Sequence, residues 1–169
     1  MKKTLGVLII ASLVITAFFL HFTEQQSSVD NSAGESAIDF DLPALDGTPT
    51  RLSSYKGRPI ILNFWASWCE PCENEMPELD KFHKKYSEDV VVMGVNITSQ
   101  EMSEQSVRDF VDELDVSFPV LLDTEGVFRN YRVMNLPTTY FIDSNGKILD
   151  NYSGELTFEM LEQFKTKLK

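Results

Sequence analysis

The stretch Trp65-Ala66-Ser67-Trp68-Cys69-Glu70-Pro71-Cys72 constrains this chain more than any other, because of what stands on either side of it. Pro59-Ile60-Ile61-Leu62-Asn63-Phe64 is apolar, β-prone and short, the pattern of one buried strand. From Glu73 to Tyr86, the residues Met76, Leu79, Phe82, His83 and Tyr86 recur at helical spacing, which predicts a helix with that inner face. Two cysteines two residues apart therefore sit where a strand ends and a helix begins. Pro71 suits a first helical turn, where its missing N–H costs nothing. Pro77, inside the helix, removes a backbone bond and is expected to kink it.

That position sets the chemistry. The unpaired N–H groups and the dipole of a helix N-terminus favour an anion, by up to ~2 kcal/mol in a partly buried site. The anion here would be the thiolate of Cys69, and a thiolate rather than a thiol attacks a disulfide. Cys69, outermost and expected to be open to solvent, reads as the nucleophile. Cys72, one turn further in and screened, can attack the resulting mixed disulfide and release reduced substrate. The rival reading, half of a zinc site, needs four ligands in its usual form. The remaining histidines, His21 and His83, lie far from the pair, so no metal is expected.

These residues closely resemble the thioredoxin superfamily and, more narrowly, its membrane-anchored TlpA/ResA-like thiol-disulfide oxidoreductases. The matching pieces are Asn63 to Cys72, then Glu75-Met76-Pro77, and Leu136-Pro137-Thr138-Thr139-Tyr140-Phe141-Ile142-Asp143. The resemblance runs from about Ile38 to the C-terminus. It implies an α/β thioredoxin-like fold with a central mixed sheet flanked by helices, an N-terminal β-hairpin and a central helix–strand insertion. It implies exchange through a redox-active Cys69–Cys72 disulfide with no other cofactor. It also implies a cis proline at Pro137, where the backbone of Leu136 would pair with an extended substrate strand. Protein disulfides such as those of apocytochrome c, or of spore-envelope proteins, are the substrates it suggests, with a membrane electron donor of the CcdA type. Cytoplasmic thioredoxins carry a buried aspartate where this chain has Asn63. The proton-handling carboxylate must then lie elsewhere, and Glu75, one turn beyond Cys72, is the candidate. The alternative reading of Glu75 is an exposed surface charge.

The neighbours of the pair carry paired readings too. Glu70 is either a solvated charge or a tuning residue whose sign opposes thiolate formation at Cys69, with Pro71 setting the turn between the cysteines. Trp65 reads as core. Trp68 reads as a shield over the site that contacts substrate.

Elsewhere the chain supplies a frame. Lys2 and Lys3 precede an apolar run from Leu5 to Phe22, near the lower limit of the ~17–25 residues that span a bilayer. Residues 1–22 are thus expected to be an uncleaved single-pass anchor, with the lysines inside and the rest outside the cytoplasm. The alternative is a cleaved signal peptide. Residues 23–37 lack apolar periodicity and read as a flexible tether, which leaves 38–169 as the folded domain. Ile38–Leu45 and Thr48–Leu52 flank Asp46-Gly47, a hairpin signal. Strands are expected at Val90–Ile97, Phe118–Leu122, Thr138–Ile142 and Lys147–Tyr152. Helices are expected at Ser103–Leu114 and Glu125–Tyr131, with a last one capped by Thr157. A formal net charge of −11 makes the chain a poor nucleic-acid binder.

Three other functions fit parts of this pattern. An oxidase that installs disulfides would share the motif and differ in reduction potential. A peptide-binding module would use the Pro137 groove without turnover. A peroxidase is favoured only by the Ile38–Leu52 opening, which resembles peroxiredoxins. The anchor makes the first testable point: N-terminal sequencing of the protein recovered from membranes should read from the Met1 end, and a mature chain starting beyond Phe22 would overturn it.

Overall fold

The computed structural model describes residues 33–168. The expected anchor at 1–22 and most of the expected tether lie outside them. Among the described residues no helix is long and apolar enough to cross a membrane.

Strand β3 (Ile60–Trp65) is buried along its whole length. It pairs in parallel with β4 (Val91–Asn96), which pairs in parallel with β5 (Val120–Leu122). On its other side β3 pairs antiparallel with β6 (Thr138–Ile142), and β6 with β7 (Ile148–Ser153). The result is a mixed five-stranded sheet in the order β5-β4-β3-β6-β7. A separate hairpin, β1 (Asp41–Pro43) and β2 (Pro49–Arg51), opens the domain around Asp46-Gly47, with Gly47 at φ +86°. Its strands are shorter than the expected extended pieces, and a 3-10 turn follows at Leu52–Tyr55.

Successive strand residues point to opposite faces. Ile61, Trp65, Val92 and Phe141 enter one core, which is closed by three helices. These are α1 (Glu70–Tyr86), α2 (Glu104–Glu113) and, after the four-residue α3 (Val127–Asn130), α4 (Phe158–Lys167). They contribute Met76, Leu79 and Phe82, then Val107 and Phe110, then Phe158 and Leu161. Ile60, Leu62, Phe64, Met93 and Tyr140 enter the second core, closed by Phe40 and Leu42 of the N-terminal segment and by Phe128 and Tyr131. The expected insertion is α2 with β5. Thr157 caps α4, its hydroxyl accepting from the Met160 N–H, as the sequence predicts.

Both sheet edges are covered. Leu45 donates its N–H to the Val120 carbonyl at 2.8 Å beside β5. Along β7, the Gly34 N–H reaches the Ile148 carbonyl at 2.7 Å and the Ala37 N–H reaches the Gly146 carbonyl at 2.8 Å. Residues 34–37, expected to be tether, are thus part of the sheet's hydrogen bonding, because an unpaired edge exposes donors and acceptors that another chain could take.

Helix α1 begins at Glu70, three residues ahead of the expected start, because Cys69 itself is the N-cap and its carbonyl accepts from the Cys72 and Glu73 N–H groups at 2.9 and 3.1 Å. The helix continues through Pro77 to Tyr86. Asp123, fully buried after β5, accepts from the backbone N–H groups of Gly126, Val127 and Phe128 at 2.7–2.9 Å, fixing the start of α3. The Leu136–Pro137 peptide bond ahead of β6 is cis.

Gly94 in β4 stands at a tight contact near the end of β3. A Cβ there would stand 3.0 Å from the Phe118 ring and 3.0 Å from the Trp65 indole nitrogen, both buried, with Trp65 stacked on Phe110. Gly94→Ala is therefore expected to cost ~1–3 kcal/mol by overpacking. Urea unfolding should show a lower midpoint with an unchanged slope, and an unchanged midpoint would refute the contact.

Candidate active site

Three loops meet at the C-terminal ends of β3 and β4. The first, Ala66–Trp68, carries the chain from β3 to Cys69 at the N-terminus of α1. The second follows β4 through a 3-10 turn at Thr98–Gln100. The third holds Val133 to Pro137 ahead of β6. Between them lies a groove of about 470 Å³, walled by Trp68, Pro71, Ile97, Gln100, Phe128 and Leu136, with Cys69 in its lining.

Cys69 and Cys72 are joined as a disulfide, Cα to Cα 5.2 Å. Cys69 is 6% exposed and Cys72 is fully buried. The order of exposure is the expected one, but Cys69 is not open to solvent. Its sulfur is tied back to Cys72, and the residue belongs to the buried cluster on the helical side of the sheet. Trp68 is 58% exposed even though its indole N–H donates to the Gln100 carbonyl at 3.0 Å. Glu70 and Pro71 line the groove and are exposed. Leu136 lines it as well, whereas Pro137 is buried behind, its carbonyl accepting from the Gly154 N–H at 2.9 Å.

Glu75 is not a surface charge. It is fully buried, on the core side of α1 and away from the groove walls. Asn63 meets it because strand alternation sends Asn63 to the helix side of the sheet with Ile61 and Trp65. The Asn63 amide donates to Glu75 Oε1 at 2.7 Å and to the Thr139 hydroxyl at 2.9 Å, and the Leu156 N–H donates to Glu75 Oε2 at 3.1 Å. Burial pushes the Glu75 carboxyl up to about 8, against the opposing pull of the Asn63 and Leu156 hydrogen bonds, and the nearby Glu155 charge adds to the rise. No cation stands among these influences.

A second carboxylate grips the first loop from the other side. Glu101, half-buried just after the 3-10 turn, accepts from the Ser67 N–H, the Ser67 hydroxyl and the Asn96 side chain. Sequence reading gave no site role to Glu101 or Ser67, nor to the groove residues Ile97, Gln100 and Phe128. The available signal was the parallel strand pair: where β3 ends at the cysteines, the residues following β4 must lie alongside, as ligand crevices at strand C-termini do. Among the described residues, no group of three or more His, Cys, Asp and Glu side chains could hold a metal ion.

This arrangement can accept a disulfide at Cys69, pass the bond inward to Cys72 and hold a proton nearby on Glu75. Its relatives share that chemistry by name. The AhpC/TSA family model matches residues 33–150. The thioredoxin-like protein YneN of Bacillus subtilis (strain 168) is 42% identical over 164 residues, 96% of each chain. The thiol-disulfide oxidoreductase ResA of Bacillus thuringiensis subsp. konkukian is 36% identical, over 88% of this chain and 83% of its own. Among solved structures, StoA from Bacillus subtilis superposes with a TM-score of 0.69 at 30% identity, covering 76% of this chain and 96% of StoA. The exposed lipoprotein thioredoxin Etrx1 of Streptococcus pneumoniae gives 0.70 at 36% identity, covering 78% and 100%. The chain belongs to the AhpC/TSA family and, within it, to the thioredoxin-like thiol-disulfide oxidoreductases.

Proposed function

We propose that the protein reduces disulfides of other proteins outside the cytoplasm, held at the membrane by its first 22 residues. The observation that carries this reading is the Cys69–Cys72 disulfide at the N-terminus of α1, with Cys69 the more exposed sulfur and part of the groove lining. Lys2, Lys3 and the Leu5–Phe22 run support the anchor. Apocytochrome c and spore-envelope proteins are the substrates considered, with a membrane donor of the CcdA type returning electrons to the disulfide.

In the reducing direction the Cys69 thiolate attacks the substrate disulfide, forming a mixed disulfide and expelling one substrate thiolate. Cys72 then loses its proton and attacks Cys69 Sγ. The second substrate thiolate leaves, and the protein is left with its disulfide. Trp68 and Leu136 border the incoming chain, and the cis Pro137 backs the loop that presents Leu136. Glu70 lowers the driving force for thiolate formation through its charge, opposing the helix dipole. The ionised fraction of Glu75, which grows as pH rises toward about 8, takes the proton of Cys72. A carboxyl near 8 is matched to a thiol of ordinary pKa ~8.5, and proton exchange is efficient between matched groups.

Two measurements test this scheme. In cells, Cys72→Ala should accumulate mixed disulfides with exported proteins and Cys69→Ala should not; equal trapping would reverse the assignment. Two-dimensional gels of thiol-labelled exported proteins, with and without the gene, then identify the substrates. For Glu75 the sign follows from linkage. Its folded value is raised, so between about pH 4.5 and 8 the unfolded chain ionises this group while the folded chain keeps the proton. Stability contributed by the protonated carboxyl is therefore lost as pH rises through that window, at up to ~1.4 kcal/mol per pH unit. Unfolding of the oxidised protein, in which neither cysteine titrates, should show this slope, and Glu75→Gln should flatten it. Parallel profiles would mean that burial does not hold a proton on Glu75 in the folded state and that its carboxyl is not matched to the Cys72 thiol.

A further inference from the structure

The loop that delivers Cys69 is held by a residue outside the cysteine motif. Ala66, Ser67 and Trp68 bridge the end of β3 and the N-cap of α1. Within that bridge the turn bond from the Cys69 N–H to the Ala66 carbonyl is 3.3 Å, longer than a usual N–H···O contact. The short bonds come from across the site. Glu101 Oε1 accepts from the Ser67 N–H at 2.7 Å, and Oε2 accepts from the Ser67 hydroxyl at 2.5 Å. Oε1 also accepts from the Asn96 amide at 2.6 Å. Asn96 is fully buried, and Thr98 Oγ1 donates to its Oδ1 at 3.2 Å, so the amide that braces Glu101 is itself oriented. One residue before Glu101, the Gln100 carbonyl holds the Trp68 indole.

We propose that Glu101 is a positioning residue for disulfide exchange: its carboxylate clasps the Ser67 backbone and hydroxyl, and so sets where Cys69 and the Trp68 wall stand in the groove. The proposal rests on the reading of Cys69 as the attacking thiol. Charge-assisted bonds of this length are the strong kind, and three converge on one carboxylate. The bracing runs from β4 to the loop after β3, so it fixes two groove walls against each other. Neither strand depends on it, since β3 and β4 are paired over six residues and buried in both cores. Loss of the clasp should therefore slow exchange far more than it destabilises the fold.

Glutamine separates geometry from charge. Its amide oxygen can accept from the Ser67 N–H and the Asn96 amide, while its NH₂ donates to Ser67 Oγ, so the clasp survives without the charge. The test uses full-length protein, reduced, with insulin as the disulfide probe and acrylamide quenching of Trp68 as the second readout. Glu101→Ala should slow insulin reduction about 10- to 100-fold, the effect of misplacing a reacting group by an ångström or so, while Trp68 emission becomes more easily quenched. Glu101→Gln should return the rate to within about threefold of wild type, because the hydrogen-bond pattern is kept. A Glu101→Ala rate equal to wild type overturns the proposal, and so does a Gln variant as slow as the Ala variant. Should Glu101→Ala fail to fold, Ser67→Ala, which removes only the hydroxyl arm, replaces it: a slower rate supports the clasp and an unchanged one refutes it. Wild-type protein that does not reduce insulin would remove the reading of Cys69 as nucleophile, and the clasp with it, whereas equal rates in active wild type and variants remove the clasp alone.

Discussion

Burial of β3 on both faces is the constraint from which the rest of the structure follows. A six-residue strand with every side chain buried must feed two cores at once, and its period of two sorts the residues without ambiguity. Ile60, Leu62 and Phe64 go to the layer shared with the N-terminal segment, and Ile61, Asn63 and Trp65 go to the helical layer. Asn63 is the one polar member, so the helical layer must satisfy an amide. Thr139, its register partner on β6, and Glu75 on α1 accept from its Nδ2. The strand that aims the chain at Cys69 thus also places the polar pair behind the disulfide.

The fate of the two core-facing carboxylates on α1 shows which effect dominates there. Asp80 is also largely buried, and burial pushes its pKa up, yet Lys84 at 2.7 Å and the Ser117 hydrogen bonds outweigh that push and hold it below the usual range. Glu75 receives two neutral donors and no cation, and burial wins. Taking a carboxylate out of water costs several kcal/mol even after relaxation, more than two neutral hydrogen bonds return. Lys84 and the Ser117 donors hold Asp80 low, whereas Glu75 has no cation and burial holds it high.

Much of this was legible before any coordinates. The strand–Cys–helix arrangement needs only a buried run, a proline at a first turn and helical spacing afterwards, all local signals. The cap at Thr157 was equally local, its hydroxyl meeting the N–H three residues on. What escaped was tertiary. The start of α1 was set three residues late because Glu70 and Pro71 carry no apolar periodicity. The half-buried clasp of Glu101 on Ser67 joins positions 34 apart, and nothing in either neighbourhood marks them as partners. The burial of Cys69 comes from the disulfide and from the core cluster it joins, so the spacing of the motif could not reveal it.

Asn63 carries the argument one step beyond the fold. An aspartate at this position would set two carboxylates within hydrogen-bond distance in a core without a cation, and one would have to hold a proton for the other to ionise. An amide has no such conflict. It donates through Nδ2 to Glu75 Oε1, as the geometry shows, and by turning over it can accept through Oδ1 from a protonated carboxyl. Asn63 therefore leaves the titration behind the disulfide to a single group. The Glu75 carboxyl then titrates by itself, raised by burial against the Asn63 and Leu156 hydrogen bonds, rather than as one member of a dyad that titrates as a unit.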